Sequence, residues 1–160
     1  MALERHPVRI AAAGDADELA SLLHDFNAEF DTPSPGVDVL ASRLRRLLAV
    51  DGAVGGRTVA IVAGDPAVGV ALVTFRPNVW FEGEVALLDE LYVVPGLRSR
   101  GLGGAMIARL LELAEERGAG LIEINVDEAD IDAQRFYERH GFTGFEPVTG
   151  DRAFYYQREL

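Results

Sequence analysis

Val93-Val94-Pro95-Gly96-Leu97-Arg98-Ser99-Arg100-Gly101-Leu102-Gly103-Gly104 decides how this chain is read. An apolar run ends at Val94, Pro95-Gly96 breaks it, and a helical pattern opens at Leu102. Glycines let backbone N–H groups come close to an anion. The first turn of a helix adds N–H groups without intrahelical partners and the positive end of its dipole. Arg98 and Arg100 add charge. Such a stretch reads as a pyrophosphate cradle, although a plain glycine-rich strand-to-helix turn fits the same residues. A nucleotide-triphosphate loop requires Lys and then Ser or Thr after its second glycine, and here Leu102-Gly103 follows Gly101. A dinucleotide fingerprint requires a third glycine where Met106 stands.

Outward from this loop the chain punctuates itself clearly. Residues 8–12 read as a short strand. Asp15 with Glu18 suggests a capping box, and Leu19, Leu22, Leu23 and Phe26 give the helix that follows an apolar face. Thr32-Pro33-Ser34-Pro35-Gly36 breaks it, and a second helix is expected over 37–49. Strands are expected at 57–63, 68–76 and 85–94, then a helix over 102–117, a strand at 121–126 and a helix over 131–140. Two further strands, 142–148 and 153–158, are expected around Thr149-Gly150-Asp151. The order β-α-α-β-β-β-α-β-α-β-β predicts one α+β domain spanning 1–160: a mostly antiparallel, mixed sheet with helices on both faces.

Composition narrows the chemistry. The chain has 160 residues and a formal net charge of -11. An acidic domain repels a phosphate backbone, so nucleic acid is not an expected partner, whereas cationic molecules are favoured. All 15 basic residues are Arg. The absence of cysteine excludes disulfides, thiolate metal sites and an acyl-cysteine intermediate. No apolar run approaches the ~20 residues of a membrane span. Residues 1–7 lack the pattern of a secretion signal, so a cytoplasmic location is expected.

Arg98, Gly101 and Gly103 form Arg-x-x-Gly-x-Gly at the strand-to-helix junction. Leu88-Asp89-Glu90-Leu91-Tyr92-Val93-Val94-Pro95 precedes it, and Phe136-Tyr137-Glu138-Arg139-His140-Gly141-Phe142 comes later. In these features the chain resembles the GNAT superfamily of N-acetyltransferases, with a motif layout similar to the spermidine/spermine-type enzymes. The resemblance covers nearly the whole chain and is weakest over the first fifty residues. It implies a sheet splayed between its fourth and fifth strands and acetyl-CoA as co-substrate. Leu91, Tyr92 and Val93 would pair with the pantetheine arm. Arg98, Ser99, Arg100, Gly101, Leu102, Gly103 and Gly104 would hold the pyrophosphate, and Ala133 would also touch the cofactor. A homodimer is compatible with the family.

Amine acetylation requires a neutral amine, stabilised charge on the thioester oxygen and a proton for the leaving thiolate. Tyr137 matches the family tyrosine that faces the sulfur, and a phenol stays protonated at neutral pH. Its alternative is a ring packed at a helix end. For the base, Asp89 and Glu90 compete. On a regular strand their side chains would point to opposite faces, so one of them would face the slot. The resembling polyamine enzymes place Glu at the position of Asp89, where it acts through ordered water, which favours Asp89 slightly. Asp130 replaces a family Asn and reads as the N-cap of the helix after it. Without cysteine, direct attack in a ternary complex is the expected route.

The acceptor pocket of this fold is built by the first two helices and their loop. Asn27, Glu29, Phe30 and Asp31 are the candidates, with Glu29, Asp31, Asp89 and Glu90 forming an acidic funnel for an amine. Trp80 and Phe81 suit a pocket, a dimer contact or the core. His6, His24 and His140 are too scattered to suggest a metal site. The leading expectation is an N-acetyltransferase acting on a small-molecule or protein amine. The rival classes are an acetyl-CoA-binding sensor without turnover and, more weakly, a nucleotide-binding domain.

Overall fold

The computed structural model describes residues 6–49 and 55–160. The part of the N-terminal segment before residue 6, used above to argue against a secretion signal, lies outside the described residues. The chain divides into two compact units, one up to Glu123 and one from Ile124.

The first unit is built on β1 (Val8–Ile10), β2 (Thr58–Ala63), β3 (Gly69–Arg76), β4 (Val85–Val93) and all but the last residue of β5 (Leu121–Ile124), adjacent in that order. β1 to β4 pair antiparallel, while β5 runs parallel to β4. Its helices are α1 (Ala16–Glu29), α2 (Val37–Leu48) and α3 (Leu102–Glu116). β2 is Val-Ala-Ile-Val-Ala after its first residue and is buried throughout, as expected of a central strand covered on both faces.

The register sorts the two faces. Ala60 sits opposite Leu72 and Val62 opposite Val70, and these residues join Tyr92 in one cluster with Leu19, Leu22 and Leu23 of α1 and Leu44 and Leu48 of α2. Val59 sits opposite Val73 and Ile61 opposite Ala71 on the other face. There the buried Met106, Ile107, Leu110 and Leu113 of α3 cover the sheet, with Met106 close against Gly69. The periodicities read from the sequence are the two apolar stripes that make these layers.

Three local expectations need correction. Asp15 and Glu18 do not form a capping box on α1. The Asp15 carboxylate accepts from Ala12 N at 2.7 Å and pairs with Arg9, and Glu18 accepts from Ala67 N at 2.8 Å. Their acceptors are drawn to the neighbouring strand and turn. Trp80 is 87% exposed, which removes it from the core; Asn78 instead folds the loop by accepting from Trp80 N and Phe81 N.

The third correction lies in the second unit, which holds α4 (Ile131–Arg139) and a tail. The strands expected at 142–148 and 153–158 reduce to one bridge between Phe145 and Arg152. Glu146 turns back to accept from Val148 N and Thr149 N, closing a turn where a strand was expected. A strand is stabilised by its ladder partner and by a face to cover, and Phe154, Tyr155 and Tyr156 remain exposed.

Candidate active site

The site begins with an irregularity in β4. Leu72 sits opposite Glu90 and Val73 opposite Leu88, so Asp89 is an extra residue, a β-bulge. Strict alternation would put Asp89 and Glu90 on opposite faces, but the bulge resets the count. Leu72 belongs to the face covered by α1 and α2, and Glu90 shares that face as its partner. Asp89 reaches the same face, accepting a 2.5 Å hydrogen bond from the Thr74 hydroxyl; Thr74 sits opposite Leu87 on that side. The expectation that the two side chains point to opposite faces of the strand is therefore overturned. Partial desolvation pushes both carboxyls above the ordinary range. The Thr74 hydrogen bond draws Asp89 partly back, and the Asp89 charge raises Glu90 further.

Beyond the bulge, β4 outruns its neighbour. Gly120 N donates to Glu84 O at 2.9 Å, which sets the start of β5 beside the start of β4. β5 has 4 residues and β4 has 9, so the segment of β4 carrying Leu91, Tyr92 and Val93 extends past the end of β5. The end of β4 past β5 is where the family resemblance implies a splay between the fourth and fifth strands.

The glycine-rich loop continues from that end. Pro95–Leu97 make one 3-10 turn, Arg98 is extended, and Ser99 and Gly101 take left-handed backbone with φ of 59° and 82°. Gly101 is the N-cap of α3, and no side chain caps the helix. Ser99, Arg100 and Gly101 are exposed, Gly103 and Gly104 are half-buried, and Leu102 anchors the turn in the core. A left-handed turn leading into an uncapped helix start with no acidic residue in its first turn suits an anion.

Arg98 does something the sequence did not suggest. Its Nη1 and Nη2 donate to the two carboxylate oxygens of Glu29, both at 2.6 Å, and its Nε donates to Val93 O at 2.9 Å. A candidate for the anion site and a candidate for the acceptor funnel are thus joined. Asn27 donates to Pro33 O at 3.0 Å and shapes the loop after α1. Phe30 is 54% exposed, with its ring edge-on to Phe26, and Asp31 is exposed in left-handed backbone.

In the second unit, Asp130 caps α4 by accepting from Ala133 N at 3.0 Å, as its position suggested. Ala133 therefore spends its N–H inside the helix start. Tyr137 is buried, with its ring against Phe136 and Phe142. Among the described residues no group of three His, Cys, Asp or Glu side chains is placed to hold a metal ion.

Residues 19–142 match the model of the acetyltransferase (GNAT) family. The chain belongs to the GNAT family. The match takes in the bulged strand, the loop, α3 and Tyr137, and leaves the tail after residue 142 outside. Over 67 residues, 42% of the chain, it is 40% identical to an uncharacterized N-acetyltransferase of Methanocaldococcus jannaschii, of which it spans 30%. It is 29% identical over 123 residues to the thialysine N-epsilon-acetyltransferase of Caenorhabditis elegans, spanning 77% of this chain and 74% of that one. In structure it is similar to a protein from Arthrobacter sp. FB24 proposed to be an acetyltransferase. The TM-score is 0.88, with 49% identity, 100% of this chain and 99% of that one. An aminoglycoside acetyltransferase from an uncultured soil metagenomic sample shares the fold, with a TM-score of 0.75 and 21% identity over 96% of this chain and 97% of that one. The GNAT assignment agrees with the Arg98-to-Gly103 signature. The bulge, Thr74 and the Glu29 contact carried no sequence signal, because each depends on which strand or helix lies alongside.

Proposed function

We propose that this GNAT-family protein transfers the acetyl group of acetyl-CoA to a primary amine by direct attack in a ternary complex, within a single domain spanning 1–160. The observation that carries the reading is the uncapped start of α3, reached through left-handed Ser99 and Gly101, at the free end of a bulged β4. Acetyl-CoA, the family's co-substrate, supplies the activated thioester. Backbone N–H groups between Ser99 and Gly104, helped by Arg100, hold its pyrophosphate. The edge of β4 from Leu91 to Val93 receives the pantetheine arm, and an N–H near Leu91 stabilises the thioester oxygen. Ala133 contributes packing beside the cofactor.

The acceptor is a cationic amine drawn by Asp31, Asp89 and Glu90, with Asn27 and Phe30 shaping the entry. It must lose a proton before it attacks, because an alkylamine titrates near ~10. Asp89 takes that proton, directly or through water, in the manner of the spermidine/spermine-type layout. Glu90, on the same face, favours a positively charged substrate and shares the load. Tyr137 returns a proton to the leaving thiolate. The name of the nematode relative, thialysine N-epsilon-acetyltransferase, supports an amine on a flexible aliphatic arm. The protein works in the cytoplasm, without metal, nucleic acid or membrane, and a homodimer is compatible with this role.

Calorimetric titration with acetyl-CoA, followed by thiol release against thialysine, polyamines and aminoglycosides, tests the reading. Binding with turnover on one of these amines is the expected result. Binding without turnover replaces the enzyme with a sensor, and no binding removes the loop assignment.

A further inference from the structure

The contact between Glu29 and Arg98 joins residues 69 positions apart and uses both oxygens of the carboxylate. The guanidinium lies 5.5 Å from the centre of the Tyr92 ring. Tyr92 stacks on Phe26 at 5.2 Å, and Phe26 meets Phe30 edge-on at 5.3 Å. The Nε bond to Val93 O pins the same side chain to the end of β4. One continuous ladder thus runs from the end of α1, through the rings of Phe30, Phe26 and Tyr92 and one guanidinium, to the strand that feeds the glycine-rich loop. Each partner holds the other in its charged form: Arg98 keeps the Glu29 carboxyl below its ordinary range. A carboxylate engaged on both oxygens by a planar fork is a poor ligand for an incoming ammonium. The Arg98 guanidinium has three of its five N–H donors engaged, so the brace fixes its orientation before any ligand arrives. Both side chains remain partly exposed, so the pair adds little to global stability, and its effect is on position.

We propose that Glu29 is a positioning residue: by clamping Arg98 it sets the last turn of α1, with Asn27, Phe30 and Asp31, in register with the loop that receives the acyl donor. This rests on the function proposed above and replaces the roles that the sequence suggested for both residues. Glu29 leaves the acidic funnel, and the first task of the Arg98 head group becomes the brace. The brace makes the acceptor entry and the donor loop one mechanical unit, so loosening it weakens both binding events together.

The test compares the wild-type protein with Glu29→Gln, Arg98→Lys and the double variant. Arg98→Lys keeps the charge but loses the fork. Each single variant is expected to raise the acetyl-CoA Kd and the acceptor KM together, about tenfold, with kcat little changed. The double variant is expected to match the single ones, because one missing partner already opens the brace. Amide exchange over residues 26–32 is expected to quicken in every variant, while Glu29→Asp restores part of the loss. A Glu29→Gln variant that raises only the acceptor KM overturns the proposal in favour of a cation ligand. An Arg98→Lys variant that raises only the acetyl-CoA Kd overturns it in favour of a phosphate ligand. Unchanged amide exchange overturns it whatever the kinetics. If the wild-type protein binds no acetyl-CoA, the proposed function falls, while the exchange measurement still decides the brace.

Discussion

At the scale of single residues, the two carboxylates of the β4 bulge carry the sharpest expectations. Both have folded-state pKa values raised mainly by desolvation. A raised carboxyl pKa means the folded state binds a proton more readily than the unfolded one, so stability falls as pH rises through that window. Glu90→Gln removes this cost. Its thermal midpoint is expected to exceed that of the wild-type protein by about 1–3 °C at pH 7, with the difference vanishing below pH ~4. Scanning calorimetry at the two pH values checks this. If Asp89 is the base, the acid limb of kcat/KM lies above the ordinary carboxylate range. Thr74→Val is expected to move it to still higher pH, because the hydroxyl that lowers the Asp89 pKa is gone. Asp89→Asn is expected to abolish that limb and to leave activity that climbs with pH as the amine deprotonates unaided. Tyr137→Phe is expected to lower kcat about 10²-fold or more with acetyl-CoA affinity nearly unchanged, as read from steady-state kinetics beside calorimetry.

At the scale of elements, the loop into α3 depends on backbone sign. Gly101 has φ of 82°, and a Cβ built there meets nothing within 4 Å. Gly101→Ala therefore strains the turn without a clash, costing about 1 kcal/mol. The fold is expected to survive while acetyl-CoA affinity drops several-fold, an outcome that circular dichroism and calorimetric titration separate. The strands around this loop were easier to read than its partners. β2, β3 and β4 announce themselves through β-branched residues bounded by turn residues, and their ends differ from expectation by a residue or so. The final two strands were misjudged on the same kind of evidence. Apolar and aromatic residues on either side of Thr149-Gly150-Asp151 make a strand pair only when each segment lies beside a partner, and that condition is not written in the segment itself.

At the scale of the whole first unit, close approaches between distant segments set the shape. Gly83 has no room for a side chain: a Cβ there would lie 1.9 Å from Gly118 O. Gly83→Ala is expected to force the β3–β4 loop away from the end of α3. That costs about 2–3 kcal/mol and lowers the thermal midpoint by about 5–10 °C. Arg117 works on the same corner. It donates to Gly56 O at 2.5 Å and to Glu84 at 2.7 Å, and lies 3.9 Å over the Phe75 ring. None of these neighbours is near it in the chain.

By itself the sequence determined the layers and the loop. The period of apolar residues names which faces are buried, and Pro95, Gly101 and Gly103 mark where backbone must turn toward an anion; both are local consequences of side-chain size and backbone freedom. Only the tertiary structure decided that Asp89 and Glu90 share a face, because a bulge is a mismatch of length between two strands. Only it decided that Arg98 meets Glu29, because an ion pair across 69 positions depends on where a helix ends against a sheet. Periodicity is a property of one segment, whereas register and pairing are properties of two, and the chemistry of this site rests on the second kind.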